Sequence, residues 1–162
     1  DIINYHNLKR GCVMIAIACD HAALHLKNEV IAHLKRNGYE VTDFGISREG
    51  AVDYPDYALP VAEAVASGRA DKGILICGTG IGMCIAANKV KGIRCALCSD
   101  TFSARATREH NDANVLAFGE RVVGAGLALD IVDVFLTTPF SGASRHVNRI
   151  GKITAIENKY FK

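Results

Sequence analysis

The chain lacks any apolar run approaching the length of a membrane span, and it lacks a basic tract. Its 19 Lys and Arg are nearly balanced by 17 Asp and Glu, a net charge of +2, with no interleaving of basic and aromatic residues. Neither nucleic acid nor a membrane is therefore an expected partner. No Gly-Lys-Ser/Thr follows the glycines at 78–82, which excludes a P-loop. The dinucleotide fingerprint is also incomplete. Gly78-x-Gly80-x-Gly82 places Met83 where G-x-G-x-x-G requires glycine, although Asp100 lies at a ribose-binding separation. Cys95-x-x-Cys98 has no second pair for zinc, and a strand over 93–98 would point the two thiols to opposite faces. No metal site or cofactor is expected. The six cysteines (12, 19, 77, 84, 95 and 98) lack the loop-rich setting of a disulfide framework, so they read as reduced thiols of a cytoplasmic protein.

What is present is an alternation. Residues 1–13 show no clear periodicity and are expected to be a leader or an added extension, outside a single domain at 14–162 long enough for a substantial core. Met14 to Cys19 reads as a strand. A helix follows whose face is Ala23, Leu26, Val30, Ile31 and Leu34, with Gly38 as its stop. Further strands are expected at 39–44, 73–76, 93–98 and 115–118, and helices at about 55–67, 83–89, 101–109, 126–136 and 144–160. Five strands separated by helices imply an α/β fold with a parallel sheet and right-handed crossovers. Ligands of such folds bind beyond the carboxyl ends of the strands. Asp20, His21, Cys77, Thr79, Asp100 and the Glu120-Arg121 pair follow strands and could share that edge. His110-Asn111 ends a helix and must reach it by another route, such as from a second subunit.

The chemistry concentrates at 73–88, GILICGTGIGMCIAAN. A buried strand ends in Cys77, and Gly78-Thr79-Gly80-Ile81-Gly82 forms a loop that enters a helix. Free amides and the positive end of a helix dipole favour an anion there, and the same field favours thiolate at Cys77. A structural turn with an inert cysteine would need one glycine; this one has three. Asp20 is either a helix N-cap or an acceptor for hydroxyls, and His21 a half-exposed histidine or a phosphate donor. Arg145 and Arg149 are four apart at a helix start, where positive charge opposes the dipole unless an anion lies between them. His25 and His33 are expected to face solvent. A thiol base, an amide-rich loop, a histidine and an arginine clamp suit proton transfer beside the carbonyl of a phosphorylated sugar.

CDH at 19–21, DYP at 53–55, ICGTGIGM at 76–83, AANK at 86–89, REHN at 108–111, NVLAFGERVVG at 114–124 and RHVNRI at 145–150 together resemble the ribose-5-phosphate isomerase B family, which belongs with the galactose-6-phosphate isomerase subunits. The resemblance runs from Met14 almost to the C-terminus. It implies a Rossmann-like three-layer sandwich with a five-stranded parallel sheet and a C-terminal helix. It implies metal-independent interconversion of ribose 5-phosphate and ribulose 5-phosphate through an enediolate. Cys77 would be the base, Thr79 would move the proton between the oxygens, and His110 would open the furanose ring. The amides of Gly78, Gly80, Ile81 and Gly82 would form the anion hole. Asp20, Tyr54 and Asn111 would hold the sugar, with His21, Arg121, Arg145 and Arg149 near the phosphate. Having Cys77 and Met83, the chain resembles the cysteine branch rather than the one with glycine and glutamate there. The family's homo-oligomers, dimers or tetramers with shared sites, imply that some of these residues come from a partner. Isomerisation of allose or galactose 6-phosphate, or sugar-phosphate binding without turnover, are the alternatives.

Overall fold

A computed structural model describes residues 12–48 and 50–161. The extension expected at 1–13 lies, apart from Cys12 and Val13, outside the described residues. The elements are β1 (Met14–Cys19), α1 (Leu24–Arg36), β2 (Glu40–Asp43), α2 (Pro55–Ala66), β3 (Lys72–Cys77), α3 (Ile81–Ala87), β4 (Cys95–Leu97), α4 (Thr101–Asn111), β5 (Val115–Gly119), α5 (Ala125–Thr137) and α6 (Ser144–Tyr160). The five strands form one parallel sheet in the order β2-β1-β3-β5-β4.

The three central strands bury both faces, so their apolar runs divide by strand period between two cores. Ile15, Ile17, Ile74, Ile76, Leu116 and Phe118 pack with Leu26, Val30 and Leu34 of α1 and Ile131, Val132 and Phe135 of α5. Ala16, Ala18, Leu75, Val115 and Ala117 pack on the other face with Val61 and Ala62 of α2 and Met83 of α3. Small side chains on that second face let α2 lie close. An added Cβ at Gly73 would come within 2.8 Å of Val61.

The edge strands are shorter than the sequence suggests. β4 begins at Cys95 rather than 93, because Ile93 N–H closes a turn on the Val90 carbonyl and Arg94 N–H donates to the Asn114 side chain. α3 starts two residues earlier than expected. Gly80 adopts φ +81°, a left-handed conformation that suits glycine, and its carbonyl accepts the Cys84 N–H at 3.0 Å. α4 continues through His110 and Asn111 to a left-handed C-cap at Asp112, which also accepts from Arg108. Asp100 caps α4 by accepting from the Ser103 N–H at 2.7 Å, so it serves the helix rather than a ribose.

Two polar side chains depart from the expected pattern. His33 was expected to face solvent, but its Nε2 lies 2.7 Å from an Asp133 carboxylate oxygen and ties α1 to α5. Lys27 is wholly buried, with Nζ donating to both Asp43 oxygens at 2.7 Å and to the Ile46 carbonyl at 2.6 Å. The segment it holds prolongs pairing beside β1, through Cys19 N–H to the Gly45 carbonyl and Ile46 N–H to the Cys19 carbonyl. Lys27→Met would remove the charge while keeping the packing, and would strand a carboxylate and a carbonyl. Equilibrium urea unfolding should register a loss of about 2–3 kcal/mol, below the range for a fully buried pair because Asp43 is partly solvated.

Candidate active site

The β1–β3 neighbour pair is a point where chain connections leave in opposite directions, and the loops beyond it converge. Asp20 N–H donates to the Ile76 carbonyl at 3.2 Å, Glu120 N–H to the Cys77 carbonyl at 2.9 Å, and Arg121 N–H to the Gly78 carbonyl at 3.1 Å. The segments after β1, β3 and β5 are thereby fixed to one another by main-chain bonds. Glu120 adds a side-chain bond to α1, its carboxylate accepting the Leu26 N–H; the sequence places it after a strand without disclosing this tie.

The 78–82 loop lies directly on the end of β5. A Cβ at Gly119 would stand 2.5 Å from the Thr79 backbone, and one at Gly80 2.7 Å from the Phe118 backbone. Only glycine at both positions permits this approach. Cys77, at the last position of β3, is 5% exposed, and its sulfur accepts the Gly80 N–H at 3.0 Å. Thr79 is exposed, with its hydroxyl accepting the Ile81 N–H at 3.3 Å.

Tyr54 stands ahead of α2 with its ring against Gly82, where a Cβ would meet it at 2.8 Å, and remains 41% exposed. The Arg121 side chain crosses Gly78. Asp20 is buried. One of its oxygens accepts the Ala22 N–H, while α1 is capped at Ala23 without a side-chain bond, so Asp20 is not the N-cap of α1. His21 is exposed, and its Nδ1 accepts the Val52 N–H at 3.4 Å, which leaves Nε2 to carry the proton and donate outward. Asp20, His21, Tyr54, Cys77, the glycine loop and Arg121 therefore form one group.

His110, Asn111, Arg145 and Arg149 form another. α4 runs back from the carboxyl edge, and Asn111 ends beside Arg94, whose Nε donates to the Asn111 carbonyl. That is the amino edge of the sheet, a strand length of roughly 16 Å from Cys77 at about 3.3 Å per residue. The His110 and His146 rings lie 4.5 Å apart, and His146 Nδ1 is 2.7 Å from the Ser141 hydroxyl. Burial, Arg145, His110 and Arg149, in that order, hold His146 below the usual imidazole range. Arg145 and Arg149 are exposed. Within one chain the two groups do not meet.

Among the described residues no cluster of three or more His, Cys, Asp and Glu side chains is placed to hold a metal ion. No helix among them is long and apolar enough to cross a membrane.

Residues 15–153 match the model of a family described as Ribose/Galactose Isomerase. The chain is 54% identical to ribose-5-phosphate isomerase B of Escherichia coli, over 90% of this chain and 97% of that protein. It is 46% identical to D-erythrulose-4-phosphate isomerase of Pectobacterium atrosepticum, over 85% and 92% of the two. Among solved structures, ribose-5-phosphate isomerase B of Clostridium thermocellum superposes with a TM-score of 0.90 at 58% identity, covering 91% of this chain and 99% of that one.

The close approach of β5 and the loop yields a test that needs no substrate. Gly119→Ala should displace the Thr79 backbone, costing about 1–3 kcal/mol in urea unfolding. The same variant should speed reaction of Cys77 with an aromatic disulfide reagent, followed by mass spectrometry of the labelled peptide.

Proposed function

Because the chain belongs to the ribose/galactose isomerase family and is a sugar-phosphate isomerase, we propose that it interconverts ribose 5-phosphate and ribulose 5-phosphate with Cys77 as the base. The observation that carries this reading is a sulfur at a strand end receiving an amide hydrogen at 3.0 Å, beside a glycine loop. In the open-chain aldose, Cys77 takes the proton from C2 and returns it to C1. The enediolate formed between these steps gathers charge on the oxygens of C1 and C2. Amides of Gly78, Gly80, Ile81 and Gly82 are the donors for that charge, and the Thr79 hydroxyl passes a proton between the two oxygens. Asp20 and Tyr54 hold sugar hydroxyls at the same edge. His21 presents Nε2–H and Arg121 its guanidinium towards the anionic end. The scheme calls on no metal or cofactor.

Ring opening by His110, sugar binding by Asn111 and phosphate binding by Arg145 and Arg149 require these residues at that edge. A homo-oligomer with the amino edge of one subunit against the carboxyl edge of another supplies them. In support, both groups are bordered by exposed apolar residues: Ile81, Ile85, Leu97 and Phe102 near the loop, and Val147, Ile153, Ile156 and Tyr160 along α6. A single subunit leaves that surface uncovered. The same reading places the enzyme in the cytoplasm, in keeping with six free cysteines. The D-erythrulose-4-phosphate relative and the galactose in the family description favour testing a second substrate class. Purified protein in EDTA, assayed on ribose 5-phosphate beside allose, galactose and erythrulose phosphates, should turn over ribose 5-phosphate fastest. A faster hexose or tetrose phosphate would reassign the substrate.

Cys77→Ala should lose activity by about 10³-fold or more while keeping its unfolding midpoint. His110→Asn should also be nearly inactive. Refolding the two together in equal amounts tests the shared site. Half the dimers are mixed, and each mixed dimer carries one intact site, so about one quarter of wild-type activity should return. No recovery would mean that both groups act within one chain. Arg149→Ala should raise KM by roughly 10-fold or more, the scale of one charge-assisted contact, with a smaller change in kcat.

A further inference from the structure

The proposed reaction uses Arg121 and leaves its neighbour Glu120 without a part. Glu120 lies just past β5, half-buried, and its N–H donates to the Cys77 carbonyl at 2.9 Å. Its carboxylate accepts the Leu26 N–H at 3.1 Å, a bond between residues 94 apart in the chain. Among the described residues that carboxylate forms an ion pair with no cation, Arg121 included. Its partner is therefore the end of a helix rather than a charge.

α1 begins without a cap of its own. Ala23 is its N-cap and has no side-chain oxygen, so the amides of Leu24, His25 and Leu26 lack a helical acceptor, and the first to find one is that of Lys27, on the Ala23 carbonyl. A Ser or Asp at the N-cap ordinarily accepts the amide of the third helical residue. Here Glu120 does so from the end of β5, two strands along the sheet from β1. Leu26 is buried, which limits water as a substitute, and a negative charge at this position meets the positive end of the α1 dipole. The turn leading into α1 carries Asp20 and His21. Asp20 is fixed to β3 by its N–H on the Ile76 carbonyl, and its Oδ1 accepts the Ala22 N–H at 2.9 Å. A Cβ on Gly78 would touch Arg121 at 3.5 Å and Ala22 at 3.7 Å, so the turn and the Arg121 side chain meet over the first glycine of the loop. His21 and Arg121 thus stand on either side of Gly78, and the Glu120 side chain ties the element that carries one to the element that carries the other.

We propose that Glu120 is a positioning residue for the phosphate of the substrate: by capping α1 from the end of β5 it sets the separation of His21 and Arg121. This role rests on His21 and Arg121 being the phosphate donors of the proposed function. Truncating the Glu120 side chain frees the first turn of α1 to move away from the 119–121 turn, which loosens the grip on the anion. The bonds that hold Cys77 are main-chain to main-chain or from the Gly80 amide to the sulfur, and they survive that truncation. Phosphate binding is therefore the step that Glu120 governs, and proton transfer is not.

The test compares Glu120→Ala with Glu120→Gln, which keeps an oxygen for the Leu26 N–H, in the full chain. Glu120→Ala should raise KM for ribose 5-phosphate and Kd for inorganic phosphate by about 5-fold or more, since a displaced charge-assisted bond is weakened rather than lost. Its kcat should stay within about 2-fold of wild type, and Glu120→Gln should do so in all three constants. Inorganic phosphate keeps the measurement independent of which sugar is the substrate. In hydrogen exchange followed by NMR, the Leu26 amide should exchange about 10-fold faster or more in Glu120→Ala than in wild type or Glu120→Gln. Thermal unfolding checks that each variant folds. Should Glu120→Ala not fold, Glu120→Asp, whose carboxylate stops one methylene short of Leu26, replaces it with the same expectations. Arg121→Ala, run alongside, separates this role from the reading beneath it. A wild-type Kd for phosphate in Arg121→Ala would remove the phosphate reading and the proposal with it. A raised Kd in Arg121→Ala beside an unchanged one in Glu120→Ala would overturn the role of Glu120 alone. So would a fall in kcat at constant KM, a Leu26 amide still protected in Glu120→Ala, or a Glu120→Gln variant as impaired as Glu120→Ala.

Discussion

The close seating of the 78–82 loop on the end of β5 is the constraint on which the crevice depends. It requires Gly119 beneath Thr79 and Gly80 beside Phe118, and it brings the Gly80 amide to the Cys77 sulfur. Main-chain bonds from Glu120 and Arg121 back to Cys77 and Gly78 lock the arrangement from the β5 side. The Arg121 guanidinium reaches Gly78 on a flexible side chain, whereas the sulfur and its amide donor are positioned by backbone geometry. Such a site is rigid before any ligand arrives, which is what electrostatic stabilisation of a short-lived anion requires.

Much of this was legible in the sequence because the central strands speak in a simple code. Ile74-Leu75-Ile76 and Val115 to Phe118 are apolar at every position, and only a strand covered on both faces buries every one of them. The edges were less legible. β2 and β4 have fewer buried neighbours, and their ends are set by side chains distant in sequence, such as Asn114 on Arg94. Lys27 escaped notice for the same reason. On the periodic face of α1 it looks like a solvated lysine, and its burial comes from Asp43 and Ile46, which local pattern does not disclose.

Reading along the chain did separate the two groups of polar residues. His110 ends a helix that runs against the strands, so it stands at the opposite edge from Cys77 whatever its side chain does. The observed α4, extended to Asn111, strengthens that separation. Arg145 and Arg149 begin α6 beside it, packed on α4 through His146, and α6 is otherwise exposed along most of its length. A helix that buries one side chain of its own chain gains little from folding alone. Its exposed apolar residues and the charges of Arg145 and Arg149 are what the proposed shared site would cover and use.

If the phosphate-binding arginines come from one subunit and the thiol from another, the distance between them is a property of the interface rather than of a pocket wall. The length of sugar that fits is then governed by how α6 docks on its neighbour, while the proton-transfer chemistry stays with β3 and its loop. Such a division would be compatible with relatives named for a ribose phosphate and for an erythrulose phosphate that are 54% and 46% identical to this chain. Changes along α6 and its contact surface can retune chain length without disturbing Gly119, Gly80 or Cys77. On the proposed reading, substrate preference and catalytic competence are separable because they would be carried on opposite edges of one sheet.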